Sequence, residues 1–199
     1  NVLDAHGIEF VADEVVTGVG RTGRFWGCDT LDLSPDNVTM GKGITGGYFP
    51  MSAIAIGERL YEYLEIGSDK IGTLAHAGTF AAHPVGAAAG IKALEIIERN
   101  NLVAHGREMG QRLKDGLTPF SEHPAVGDVR SVGLAASLDF LVRDDDDCTA
   151  NDNADTQCMA VYNNLLDQGV VTRPAGRSVV LAPPLIIKPE EVDELVERV

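Results

Sequence analysis

Apolar positions along this chain recur with two periods, and the switches between them divide it into elements. Ile8, Phe10, Val11 and Ala12 form a compact apolar stretch ending at an acidic pair, Asp13-Glu14, so residues 8–13 are expected to form a buried strand. A glycine-punctuated loop follows, Thr17-Gly18-Val19-Gly20-Arg21-Thr22-Gly23. Val38-Thr39-Met40 and residues 53–56 read as short strands on either side of Gly41-Lys42-Gly43. Residues 58–65 are expected to be helical. His83-Pro84 opens a longer helix, with proline in the first turn, where its missing N–H costs nothing. Within it Ile91, Leu94 and Ile97 fall at helical spacing.

The character changes near Asn100-Asn101. Residues 103–117 predict a helix with Met109, Leu113 and Leu117 on one face. Residues 126–132 and 135–142 read as strands separated by Gly133, and the acidic stretch 144–155 as an exposed loop. Residues 159–166 are expected to be helical. Val170-Val171-Thr172 and Val179-Val180-Leu181 read as short strands around a turn at Pro174-Ala175-Gly176, and Pro189 begins a helix still running at Val199. Alternating strands and helices predict an α/β fold, with one domain over residues 1–100 and a second over 101–199.

At 199 residues and 44% hydrophobic content the chain is long enough to bury a substantial core. Its formal net charge of −14 argues against nucleic acid and anionic lipid as partners, because the field repels phosphate. The acid excess has two readings, an ordinary solvated surface or adaptation to a salt-rich cytoplasm. Cys28, Cys148 and Cys158 form no C-x-x-C pair, which suits a reducing, cytoplasmic setting. The five histidines show no zinc spacing, so no metal is expected. No apolar run is long enough to span a bilayer. The first residues carry neither a basic leader nor an initiator Met, and the chain is expected to begin within a longer protein.

Two residues stand out chemically. Asp13 closes an apolar strand, where a carboxylate needs a partner; a salt bridge or helix cap would satisfy it, and so would a cationic ring. Lys42 lies between two glycines, which let a bulky group approach the backbone. A desolvated amine there becomes a nucleophile, although a surface lysine on a turn is the commoner case. His83, just before a helix, reads as a cap or packing residue, and Trp26 as core or interface. Gly18, Gly20 and Gly23 lack the following helix of a dinucleotide-binding loop.

The order of the motifs is far more specific than any one of them. Asp13-Glu14-Val15 precedes Gly18-Val19-Gly20-Arg21-Thr22-Gly23, then Pro35-Asp36, then Gly41-Lys42-Gly43-Ile44-Thr45-Gly46-Gly47-Tyr48. Gly78-Thr79-Phe80-Ala81-Ala82-His83-Pro84-Val85-Gly86, Val170-Val171-Thr172-Arg173-Pro174 and Ala182-Pro183-Pro184-Leu185 follow. This series resembles the class III (subgroup II) aminotransferases, which use pyridoxal 5′-phosphate (PLP), and it spans nearly the whole chain.

The resemblance implies a fold type I PLP-dependent architecture. Residues 1–100 would be the later part of the large, mostly parallel-sheet domain, and residues 101–199 a small C-terminal α/β domain, incomplete at its end. It also implies a homodimer with active sites shared between subunits. Lys42 matches the lysine that carries PLP covalently and then moves the proton. Asp13 matches the carboxylate on the protonated pyridine nitrogen, which keeps the ring an electron sink. Val15 matches the residue against the ring face, and Thr79 the hydroxyl that reaches the phosphate of the neighbouring subunit's cofactor. Arg173, in an Arg-Pro-x-Gly setting, matches an arginine that grips a substrate carboxylate.

Val16 stands where many relatives, including the ornithine and acetylornithine enzymes, carry Gln. With Gly46-Gly47-Tyr48-Phe49-Pro50-Met51 it points to the branch that uses pyruvate as acceptor for ω-amino acids or amines. The upstream half, with the phosphate cup and the ring-stacking aromatic, is not in this sequence. Alternatives are therefore a non-catalytic truncated chain or dimerisation partner, and a family aminomutase or decarboxylase.

Overall fold

The computed structural model describes residues 2–141 and 150–199. Val142, Asp144-Asp145-Asp146-Asp147 and Cys148, and with them most of the expected acidic loop, lie outside the described residues. The chain forms two compact units, one of Asn1–Val19 and Arg24–Asn101, the other of Gly20–Gly23 and Leu102–Val199.

The first unit contains, in order, α1 (Val2–Ala5), β1 (Val11–Asp13), α2 (Gly27–Thr30), β2 (Asn37–Met40), a 3-10 turn (Lys42–Thr45), β3 (Ala53–Ala55), α3 (Glu58–Ile71) and α4 (Pro84–Arg99). β2 is the central strand, parallel to β1 and antiparallel to β3. Asn37 anchors its start from a buried position: its side-chain amide donates to Glu9 and its carbonyl accepts from Gly57 N–H at 3.0 Å.

Three expectations need correction here. The strand expected over 8–13 covers only Val11–Asp13, and Val11 is half exposed. An apolar run shows what favours burial, but a covering layer decides it, and within this unit that cover is thin. α3 outruns its expected end by six residues and stops at Gly72, whose φ of 77° suits a left-handed helix end. α4 buries Gly86, Gly90 and Ile97, whereas Ile91 and Leu94 stay exposed. The glycine side of α4 packs on the turn after β2. A Cβ at residue 90 would sit 3.4 Å from the Ile44 carbonyl, and one at residue 86 would press to 2.7 Å from the Phe49 ring.

The second unit contains α5 (Leu102–Leu117), a 3-10 turn (Thr118–Glu122), β4 (Val126–Val132), β5 (Ala135–Phe140), α6 (Ala150–Asp167), β6 (Arg173–Ala175), β7 (Ser178–Leu181) and α7 (Pro189–Arg198). Its sheet has the order β4-β5-β7-β6 with every pairing antiparallel. Met109, Leu113 and Leu117 of α5 are buried, as their spacing requires. They meet Ala136, Leu138 and Phe140, alternate residues of β5, together with Leu165, Val179 and Val192.

α6 begins at Ala150, inside the stretch expected to be loop. The strand expected at 170–172 is displaced to Arg173–Ala175, so the turn is Gly176-Arg177. A two-residue hairpin favours a positive φ, which Gly176 supplies at 58°. Pro174 is tolerated because β6 is the edge strand.

The short segment Gly20–Gly23 is held in this unit by backbone. Leu134 N–H donates to the Arg21 carbonyl at 2.9 Å, and Arg21 Nη1 donates to the Leu134 carbonyl at 2.8 Å. A Cβ on Gly133 would lie 2.4 Å from the Thr22 carbonyl carbon, and one on Gly110 would lie 2.4 Å from that of Gly133. Three backbone segments therefore stack here with no room for a side chain. No helix among the described residues is long and apolar enough to cross a membrane.

Candidate active site

β1 and β2 run parallel with Asp13 paired to Thr39, so both strands end at the same edge of the sheet. The carboxyl edge of a parallel pair is where ligands bind in open α/β sheets. Asp13 is the last residue of β1, Val15 follows two residues later, and Lys42 comes two residues after the end of β2. The pairing register thus sets Asp13 beside Thr39, three residues before Lys42.

Lys42 opens the 3-10 turn and is solvent-exposed. It lines an open cleft of about 620 Å³ together with Val15, Gly41, Phe49, Pro50 and Met51. That volume is in the range of small-molecule and cofactor sites. Val15 forms the wall beside the lysine, with its methyl carbons 3.6 and 3.8 Å from where a Cβ on Gly41 would lie. The backbone is strained here: Lys42 has φ 42°, and the buried, β-branched Val19 has φ 59°. Val19 packs on Gly43, where a Cβ would come within 3.1 Å of it. Left-handed conformations at non-glycine residues persist only where the surroundings enforce them, and they concentrate at functional sites.

Asp13 is exposed and anchored through one oxygen. Oδ1 accepts from Val15 N–H at 3.0 Å and from the Thr39 hydroxyl at 3.3 Å. Oδ2 accepts no hydrogen bond among the described residues. A carboxylate fixed at one oxygen with the other open, a nearby amine and an apolar wall form a donor set that fits PLP. The ring nitrogen would take Asp13, the carbonyl carbon Lys42, and the ring face Val15.

The other expected site residues are placed differently. Thr79 sits in an exposed turn, four residues before the cap of α4, and does not line the cleft. Arg173 belongs to the second unit. It opens β6, pairs in register with Val180 and is exposed, with no ion pair among the described residues. Val16 is exposed beside Val15. His83 caps α4 by accepting from Val85 N–H at 3.3 Å, and it stacks on Phe49 with ring centroids 5.1 Å apart. Trp26 is half-buried, edge-on to Phe25 and close to Gly18.

The structure also reveals a residue that the sequence pattern left unread. Glu14 is 3% exposed and ties the loop after β1 to α2. Its carboxylate accepts from Gly27 N–H at 2.8 Å, from Cys28 N–H at 2.6 Å and from the Thr17 hydroxyl. Burial raises its pKa, but hydrogen bonds from Thr17, Cys28 and Gly27 outweigh burial and hold the carboxyl below its ordinary range. Burial and the hydrogen bond with Glu14 push the Cys28 thiol up, away from nucleophilic chemistry. The acidic pair Asp13-Glu14 therefore divides its work, one carboxylate exposed at the end of β1 and the other buried and bracing the loop that follows.

The family model for class III aminotransferases matches residues 1–199. An uncharacterised aminotransferase of Sinorhizobium fredii is 39% identical over 198 residues, covering 98% of this chain and 42% of its own length. A diaminobutyrate–2-oxoglutarate transaminase of Halomonas elongata is 38% identical over 203 residues, covering 99% of this chain and 42% of its own. The crystal structure of an ω-transaminase from Pseudomonas jessenii, in complex with PMP, superposes with a TM-score of 0.92 at 34% identity. That match covers 99% of this chain and 43% of the other. The chain thus spans about two-fifths of the length of the curated relatives it matches.

Proposed function

The chain belongs to the class III aminotransferase family, with the fold type I architecture and PLP chemistry of that family, and on this premise we propose that it is the C-terminal portion of an active transaminase. The reaction moves an amino group from an amine or amino acid to a 2-oxo acid, with pyruvate as acceptor. The observation that carries this reading is the shared carboxyl edge of β1 and β2, where Asp13 is hydrogen-bonded to Val15, which lines one cleft with Lys42.

PLP, when bound, supplies an electron sink for the carbon that bears the amino group. Lys42 Nζ would hold the cofactor covalently. As a free amine, Lys42 Nζ would be the group that holds and moves the proton of the reaction. Asp13 Oδ2 would accept from the protonated ring nitrogen, and Val15 would pack against the ring face. Thr79 would serve the cofactor phosphate of the partner subunit in a homodimer, and Arg173 would bind the carboxylate of pyruvate or an α-amino acid bidentately. The absence of a cysteine pair pattern and the acidic surface support a cytoplasmic protein.

Pyruvate is supported by Val16 and by the structural likeness to an ω-transaminase. A second reading, 2-oxoglutarate as acceptor, draws on the name of the Halomonas elongata relative. Borohydride reduction of the full-length protein with PLP, followed by peptide mass mapping, should place the pyridoxyl label on Lys42. Label on Lys70, Lys92, Lys114 or Lys188 would sink the assignment. Turnover with pyruvate against 2-oxoglutarate then separates the two acceptors. A labelled protein that exchanges no amino group between substrates would be the aminomutase or decarboxylase of the family, and an unlabelled one a binding partner only.

A further inference from the structure

We propose that Thr39 is a positioning residue for the cofactor-facing carboxylate: its hydroxyl, with Val15 N–H, occupies Asp13 Oδ1 and so reserves Oδ2 for the ring nitrogen. The inference rests on the placement of Asp13 and Lys42 proposed above and adds a residue to it. Thr39 holds the end of β1 at two points. Its carbonyl accepts from Glu14 N–H at 2.9 Å, and its hydroxyl donates to Asp13 Oδ1 at 3.3 Å. The two residues are register partners in a parallel pair, so their side chains leave the sheet on the same face. Threonine is branched at Cβ, which restricts χ1 and fixes the direction of the hydroxyl.

The second donor on Oδ1, Val15 N–H at 3.0 Å, approaches from the chain segment that also forms the apolar wall. Without such anchoring an exposed aspartate rotates freely about χ2, and either oxygen is presented to a ligand. With it, the carboxylate plane and the identity of the free oxygen are set before the cofactor arrives, so less ordering is needed on binding. Held in this plane, Asp13 Oδ2 would face the ring nitrogen, whose proton keeps the ring an electron sink. The 3.3 Å contact is at the weak end of hydrogen bonding, so its effect is that of tuning.

Thr39→Val removes the hydroxyl, keeps the branched shape and suits a strand. In the full-length enzyme it should raise the PLP dissociation constant about twofold, the effect of one weak hydrogen bond. It should lower kcat with little change in KM, and move the 15N resonance of ring-labelled PLP toward that of neutral pyridine. Thr39→Ser, which restores a donor, should recover the resonance and the affinity. A purely structural threonine would leave the ring-nitrogen signal where it is.

Asp13→Asn is the control that separates the two levels. If it moves the ring-nitrogen signal and Thr39→Val does not, the positioning role is overturned while the site assignment stands. If Asp13→Asn leaves signal and affinity unchanged, the site assignment itself falls. If Thr39→Val unfolds the protein, Thr39→Ala, which also removes the hydroxyl, carries the test. Its resonance should move toward neutral pyridine, and a resonance left at the wild-type position would overturn the role.

Discussion

Asp139 shows how a single buried side chain contributes in a way its sequence neighbourhood hides. It lies on β5 between the core residues Leu138 and Phe140 and is 7% exposed. Its carboxylate accepts from Ser137 and Ser178, each at 2.7 Å, and from Arg130 Nη2 at 2.9 and 2.7 Å. Burial pushes this carboxyl up, but Ser178, Ser137 and Arg130 overcome it and hold the pKa below the ordinary 3.8. A depressed folded-state pKa contributes stability that is present above the unfolded value and lost as pH falls through the folded one. Urea unfolding of the wild type at stepped pH should therefore lose stability below 3.8, and Asp139→Asn should be weaker at neutral pH with a flatter acid limb. Parallel acid limbs would show that Asp139 is not the group responsible. In the sequence Asp139 is only the polar member of an alternation. The partner that gives it meaning, Ser178, arrives across the β5–β7 pairing.

At the scale of elements, close backbone approach does work that hydrophobic spacing does not describe. Gly133 has φ 54°, and a Cβ there would collide with Thr22 and Arg21. Gly176 has φ 58°, but a Cβ there would meet nothing within 4 Å. Gly133→Ala should therefore cost about 2–4 kcal/mol, the backbone penalty plus overpacking. Gly176→Ala should cost only about 1–2 kcal/mol, the backbone penalty alone. Chemical denaturation of both variants checks the difference, and equal losses would mean that the Gly133 contact relaxes freely. The same logic explains α4. Its apolar residues predicted a helix correctly, yet the face that packs against the lysine turn is made by Gly86 and Gly90. A glycine face leaves no hydrophobic signal for a periodicity argument to find.

Over the whole molecule, burial is distributed unevenly. The second unit closes a continuous apolar core from α5, the sheet, α6 and α7, whereas the first buries few large apolar side chains. A net charge of −14 is carried on this framework. Self-repulsion of that excess weakens the folded state, and salt screens it over a Debye length of about 10 Å at 0.1 M. The melting temperature should therefore rise from dilute buffer to molar sodium or potassium chloride. A flat or falling melting temperature would refute adaptation to high salt and leave the transaminase reading untouched.

Helix and strand periodicity, proline and glycine punctuation, and the order of the motifs were sufficient to find most elements, the α5 face and the family. These depend on short-range spacing and residue chemistry, which a sequence carries directly. The β1–β2 register, the single-oxygen anchoring of Asp13, the bracing role of Glu14 and the backbone stack at Gly133 came only from the tertiary structure. Each depends on which distant segments are brought within hydrogen-bond or van der Waals range. The burial of β1 was misjudged for the same reason. Its apolar residues state a preference, and the layers around the strand determine whether water is excluded.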